Sequence, residues 1–384
     1  MEVCVATKKA VRAWSQLPIE ILEAIFIQLP LLDYFYAGAV CVSWHEAAVA
    51  AYNRRHYPRT PWLMFSQDPE TNTHSFLCLD HDNKVYNLHL PIVHNQEAQY
   101  LGSFQEWLIL KNSTKAEFFL LNIISKARLQ LPRNAQLHHP PKWYFAMSFS
   151  LLVEVTHEGI LSSSPTSDDC TVVMLLGGNQ LAFCRLGDAA WTVFDPLEAE
   201  FENPLIMSMS FHGGYLHCIC DGYQHVVCEL NVPPTCEVLD ACPLLQIADH
   251  DRDHIRRDGI RLVESDSDLL MVLKLTSHCL ENYVDDYSKT LGFYVFKMDA
   301  SDFTTDWVKV DSLGDGMLFL GDKGSNSFWA KDLSGFRGNH IYFTKNRVHY
   351  LPSKCDAAVF SLKDHTIKTF ISERVSLPLM WFMM

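Results

Sequence analysis

The residues best suited to hold a metal lie in one short stretch. His212, His217, Cys218, Cys220, His225 and Cys228 are all of zinc-ligand type. A structural zinc needs four such groups converging on one point, usually with C-x₂₋₄-C spacing. No C-x-x-C pair occurs in the chain. The stretch alternates like a strand, so His217 and Ile219 share one face while Cys218 and Cys220 share the other. Ligands on opposite faces cannot reach one ion, and cysteines buried between strands account for the same residues. No metal and no cofactor is expected.

A second group, Asp249-His250-Asp251-Arg252-Asp253-His254, has the spaced oxygens of half a calcium loop. It lacks the central glycine and the closing glutamate. With Arg256 and Arg257 following, it reads as a solvated, loop-like insertion running from Ile247 to Asp268. Seven acids there (Asp249, Asp251, Asp253, Asp258, Glu264, Asp266, Asp268) stand against Arg252, Arg256, Arg257 and Arg261. That mildly negative field favours a basic partner, and Asp249, Asp251 and Asp253 are the candidate contacts. Catalytic signatures are missing. No G-x-S-x-G occurs, Gly314-Asp315-Gly316 lacks the third glycine of a dinucleotide loop, and no Walker lysine follows a glycine-rich run.

Composition narrows the classes further. Of 384 residues, 48% are hydrophobic and 20% charged, enough apolar material for a large core and unlike a disordered, collagen-like or coiled-coil chain. The formal charge is −14, divided as +1 over residues 1–60 and −15 over the rest. Such a surface repels phosphate, so a general nucleic-acid binder is not expected. The longest apolar run, Tyr144 to Val153, is too short to span a membrane, and Met1 to Trp14 has no signal-peptide core. Twelve cysteines in a chain of this length then imply reduced thiols and an intracellular protein, in the nucleus, the cytoplasm or both.

Two periodicities divide the chain. Leu17, Ile21, Leu22, Ile25, Phe26 and Leu29 recur at three- and four-residue steps, the pattern of an amphipathic helix. Ser15 is the expected cap, Pro18 suits the first turn, and Pro30 ends the run. Two more short helices are expected near Leu32–Ala39 and Ser43–Asn53. So small a unit buries little by itself, so a partner or the following domain is expected to cover part of its apolar face. Tyr57-Pro58-Arg59-Thr60-Pro61 reads as a hinge. Beyond it, short strand-like runs such as Trp107–Lys111, Thr171–Leu176, Tyr215–Cys220 and Leu269–Leu275 alternate with turns such as Gly213-Gly214 and Gly338-Asn339. Some 320 residues of short strands exceed one sandwich, and radial repetition is the economical arrangement. At ~45 residues per blade the length favours about seven blades and permits six.

Particular residues carry a family resemblance. Leu17-Pro18-Ile19-Glu20-Ile21-Leu22, Ile25-Phe26, Leu29-Pro30 and Val40-Cys41-Val42-Ser43-Trp44 together resemble an F-box. Ser43 stands where a basic residue is common, and Tyr34-Phe35 make the second helix unusually aromatic. Three later blocks resemble the kelch-like C-terminal domain of the plant KIB-type F-box family. These are Gly102-Ser103 with Trp107-Leu108-Ile109-Leu110; Leu181-Ala182-Phe183-Cys184-Arg185-Leu186-Gly187-Asp188 with Trp191-Thr192; and Phe336-Arg337-Gly338-Asn339 with Ile341-Tyr342-Phe343.

The resemblance implies a mainly β protein with a three-helix F-box over 14–55, a linker over 56–61 and a β-propeller over 62–384. It also implies a non-catalytic substrate-receptor subunit of an SCF-type ubiquitin ligase. Leu17, Pro18, Ile21, Leu22, Ile25, Phe26, Leu29, Pro30, Val42 and Trp44 would then meet a Skp-family adaptor, tied to a cullin and a RING protein. The propeller would hold a protein substrate. Two alternatives stand beside this reading: a propeller interaction protein outside the ubiquitin system, and a propeller enzyme.

Overall fold

The structure is a computed structural model. It describes residues 14–29, 31–54, 60–68, 70–79, 84–92, 98–112, 117–133, 158–177, 179–197, 205–220, 223–239, 246–252, 254–266, 268–277, 290–299, 306–321, 323–333, 336–344, 354–374 and 380–383. The chain divides into two compact units, residues 1–58 and 59–384. Most of the expected hinge lies outside the described residues.

The first unit holds α1 (Ile19–Gln28), α2 (Leu31–Gly38) and α3 (Val42–Arg54). Leu22 and Phe26, one turn apart on α1, are buried with Tyr34, Ala47, Ala48 and Ala51. Small alanines on α3 let α1 approach closely, and Phe26 fills the gap edge-on to Tyr34 (centroids 5.1 Å apart) and Trp44 (5.8 Å). The expected Ser15 cap is not used. The N-cap position of α1 is Pro18, which has no side chain to donate or accept a capping bond. Ser15 instead belongs to a 3₁₀ turn over Trp14–Gln16, and its carbonyl accepts the Ser43 hydroxyl at 3.0 Å. α1 stops where Leu29 turns extended ahead of Pro30, whose ring disfavours a helical residue before it.

Among its described residues the second unit is strand apart from turns and two short helical turns. β1 (Pro61–Asp68), β2 (Thr73–Cys78) and β3 (Val85–His89) begin the first sheet. The second has β4 (Ala98–Phe104), β5 (Trp107–Asn112), β6 (Glu117–Asn122) and β7 (Arg128–Gln130). The third has β8 (Glu158–Leu161), β9 (Thr171–Gly177), β10 (Gln180–Arg185) and β11 (Thr192–Phe194). The fourth has β12 (Ile206–His212), β13 (Tyr215–Cys220), β14 (His225–Glu229) and β15 (Thr235–Leu239). The fifth has β16 (Ile255–Ser265), β17 (Asp268–Thr276), β18 (Thr290–Asp299) and β19 (Asp306–Lys309).

The sixth sheet contains β20 (Gly316–Leu320), β21 (Ser325–Trp329), β22 (His340–Thr344), β23 (Lys354–Ser361) and β24 (Ile367–Arg374). Its spatial order is β21-β20-β22-β23-β24, with β20 and β22 parallel. Gly338-Asn339 is therefore not a hairpin turn but the end of the crossover into β22. A Cβ on Gly338 would collide with the backbone of Gly314 and Asp315, so only glycine fits this approach. Lastly β25 (Met380–Met383) pairs with β1, Trp381 opposite Leu63 and Phe382 opposite Trp62, and closes the ring.

Six sheets around one axis make a six-bladed propeller among the described residues. The chain spends about 54 residues per blade, more than the ~45 behind the expectation of seven. The inner strands are β4, β8, β12, β16, β21 and β25. β25 packs on β4, β4 on β8, β8 on β12, β12 on β16, and β16 on β21. Between β4 and β8 a Cβ on Gly102 would strike the Gly159 carbonyl, which demands glycine there.

Adjacent blades share their cores. Val172, Met174, Ala182 and Cys184 pack with Leu101, Ile109 and Phe118 of the second sheet. Their sequence neighbours Val173, Leu175, Leu181 and Phe183 pack with Met209, Leu216 and Cys218 of the fourth. Strands sandwiched in this way read as continuous apolar runs; β6 is buried throughout, whereas outermost β7 is largely exposed. The closing strand serves the same purpose, with Trp381 and Met383 packed among Leu63, Met317 and Phe319. Trp381→Ala should therefore cost about 3–5 kcal/mol of propeller stability, read as a lower denaturation midpoint in urea.

Candidate functional site

The residues proposed from sequence to meet an adaptor fall into two groups. Leu22 and Phe26 are buried in the helical core, and Leu17, Leu29 and Trp44 pack against it half-buried. These five hold the helices together. Ile25 is half-buried, and Pro18 is exposed. Ile21 is 50% exposed and Val42 73%. Pro30 lies outside the described residues. The structure adds Trp14 (64% exposed), Ile19 and Val40 to the exposed apolar set. The Trp14 carbonyl accepts the Trp44 indole N–H at 3.1 Å, which ties the 3₁₀ turn to α3.

The charged stretch at 247–268 is not a loop-like insertion. Asp249–Arg252 form a single helical turn, and Ile255–Ser265 is β16, the inner strand of the fifth blade. Several of its described charges make local contacts. Asp249, 91% exposed, pairs with Arg252 at 2.9 Å. Asp251 accepts the Tyr294 hydroxyl at 2.7 Å, and Asp268 pairs with Lys297 at 2.8 Å. Asp253 lies outside the described residues.

The histidines and cysteines part as strand alternation requires. Cys218, Cys220 and Cys228 enter the core between the third and fourth blades. His217 and His225 face the fifth blade, with Nδ1 of His217 2.8 Å from Nε2 of His225. The His225 ring lies 5.3 Å from that of Trp307. Burial holds both imidazoles neutral, lowering His217 to about 4 and His225 to about 3. Among the described residues no three His, Cys, Asp or Glu side chains gather as a metal site.

The inner strands enclose a central cavity of about 210 Å³, to which all six contribute. Its polar lining includes Ser103 of β4, Gln105 in the turn that follows it, Glu158 of β8, Ser210 of β12, Glu264 of β16 and Asn326 of β21. Ile160, Met209, Phe211 and Phe328 supply apolar surface. Serines also bind neighbouring inner strands together. Ser103 Oγ donates to the Trp381 carbonyl (2.8 Å), Ser327 Oγ donates to the Glu264 carbonyl (2.6 Å), and Ser208 Oγ accepts from Leu262 N–H (2.9 Å). Glu264 is 49% exposed and sits 3.6 Å from Nδ1 of His212. Partial burial raises its carboxyl above the usual range, an effect that His212 partly offsets. Sequence reasoning missed this site. Its lining comes from six separated segments, and no local pattern signals it.

Residues 64–370 match the KIB1-4 beta-propeller family, most of the chain's length. The chain belongs to that family. Residues 14–53 match the F-box domain, so the helical unit is an F-box carried by a KIB1-4 propeller protein. Arabidopsis thaliana has similar proteins. The putative F-box protein At4g17565 is 25% identical over 345 residues, covering 88% of this chain and 84% of that one. The F-box/kelch-repeat protein At1g57790 is 26% identical over 370 residues, covering 92% and 90%.

The buried histidines set a pH dependence. With folded values below the free value near 6.5, the unfolded chain binds more protons, so stability falls as pH drops from about 6.5 toward 4. Each histidine contributes a slope of up to about 1.4 kcal/mol per pH unit in that window. Unfolding midpoints from pH 7 to 5 should show this slope, and it should flatten in His225→Leu.

Proposed function

We propose that this F-box protein is a substrate receptor of an SCF-type E3 ubiquitin ligase. Its helical unit docks on a Skp-family adaptor, which joins it to a cullin and a RING protein, and its propeller holds a protein substrate. The observation that carries this reading is the apolar exposure of the F-box: Trp14, Ile19, Ile21, Val40 and Val42 all face water on a unit with a small core. Covering such surface is worth roughly 25 cal/mol per Å², and a helical groove or interlocking helices of a partner would cover it. The propeller complements this with a rigid scaffold of strands that ends in connecting loops, where recognition is commonly placed.

In such a complex this chain supplies proximity, and the transfer chemistry belongs to the other subunits. Holding a target lysine near a charged thioester makes a bimolecular step effectively unimolecular. The protein would work inside the cell, in the nucleus or the cytoplasm. Buried thiols at Cys170, Cys184, Cys218 and Cys228 are in keeping with a reducing compartment.

The test separates surface from core. Ile21→Asp together with Val42→Asp should weaken co-purification with a Skp-family adaptor more than tenfold while leaving helical content unchanged. Leu22→Ala should instead unfold the helical unit, at about 2–5 kcal/mol. Undiminished capture by the folded double variant would sink the SCF assignment.

A further inference from the structure

The central cavity is built but unbalanced. Two carboxylates, Glu158 and Glu264, line it, and no lysine or arginine does so among the described residues. His212 faces Glu264, its buried Nδ1 3.6 Å from the carboxylate and within hydrogen-bond reach of no other group among the described residues. Across the same cavity the Ser325 hydroxyl is buried and also lacks a partner. Buried polar atoms are almost always satisfied in folded proteins, so an unpaired hydroxyl beside two carboxylates that share one imidazole between them and no lysine or arginine marks a place prepared for donors.

Size and chemistry narrow the ligand. At about 210 Å³ the cavity is smaller than the ~300–1,000 Å³ of sites for whole small molecules. One side chain fits this scale. The acceptors are spread around the wall: carboxylates on β8 and β16, and side-chain oxygens of Gln105 in the turn after β4 and of Ser325 on β21. A planar guanidinium offers five N–H donors in a fork, whereas an ammonium offers three from one point. Apolar walls such as Ile160 and Phe211 suit the methylene stem behind such a head. The chain's net charge of −14 adds attraction at longer range.

We propose that the central cavity receives the side chain of an arginine presented on a protein segment, with Glu158 and Glu264 as its counter-ions. This rests on the reading of the propeller as the unit that holds a protein substrate. Recognition then lies on the axis of the propeller, and the charged turn at Asp249–Arg252 is not needed for it.

The probe is a fluorescein-labelled nonapeptide pool with a fixed central arginine and randomised uncharged flanks. Its comparison is the same pool with citrulline, which keeps the shape and removes the charge. Fluorescence anisotropy with the full chain should show at least tenfold tighter binding of the arginine pool. Glu158→Gln with Glu264→Gln should bring the two pools to within twofold of each other. Equal affinity of wild type for both pools, binding of neither, or full preference for arginine in the folded double variant overturns the proposal. The pool comparison on wild type needs no variant and stands if the double variant does not fold. Adaptor capture is measured on the same preparations. A chain that prefers the arginine pool but takes no adaptor keeps this inference and loses the SCF reading; adaptor capture without arginine preference does the reverse.

Discussion

Neighbouring blades of the propeller share their cores, and the middle strands are apolar on both faces because each face belongs to a different one. In β17, Leu270 and Val272 pack toward the sixth blade while Leu269, Met271 and Leu273 pack toward the fourth. In β20, Leu318 and Leu320 pack toward the fifth blade, and Met317 and Phe319 toward the first. A period of two assigns alternate side chains to opposite faces, so no blade has a core of its own. Each sheet is stable only between two others, and that requirement forces a closed ring. The pairing of β25 with β1, the parallel crossover into β22 and the glycine contact between β4 and β8 all follow from fitting the ring shut.

Inner strands obey a different rule. They border the central cavity on one side, and where β4 meets β8 they come too close for any side chain. Glycine, serine and isolated charges therefore interrupt the apolar run in every inner strand but β25, which is apolar throughout. Gly102 and Gly159 allow the closest approach. Ser103, Ser208 and Ser327 then make the lateral hydrogen bonds that bulky residues would prevent. Register shifts in β4, β12 and β16 bend these strands around the axis. The polar character that leaves the cavity open for a ligand is the same character that lets six strands converge.

This difference explains what the sequence discloses. Runs such as Trp107–Lys111, Thr171–Leu176, Tyr215–Cys220 and Leu269–Leu275 are all middle strands, legible because they are buried on both sides. Of the inner strands only β25, the apolar Trp381-Phe382-Met383 run, announces itself; the others do not. β16 is the sharpest case, since Arg256, Arg257, Asp258 and Glu264 make it resemble a solvated loop. The F-box helices are legible from their 3.6-residue rhythm, but the rhythm does not separate core from surface: Leu22 is buried and Ile21 exposed one position apart. Alternation did separate the cysteines of the third interblade core from the histidines facing Trp307. Blade number was less legible than blade existence, because the sixth sheet carries an extra strand and a permuted order.

Closure by β25 has a consequence in time. The strand that seals the first blade spans residues 380–383, whereas its partner begins at residue 61. Ribosomes add roughly 5–20 residues per second, so an emerging chain waits on the order of 15–60 s between making β1 and making its neighbour. Until then the inner edge of β1 offers unpaired peptide groups, and Leu63 and Phe65 lack Trp381 and Met383. A nascent chain of this architecture therefore carries an open strand edge, a template for pairing with other chains, until β25 emerges. A stop codon ahead of residue 380 would leave that edge bare in the finished polypeptide.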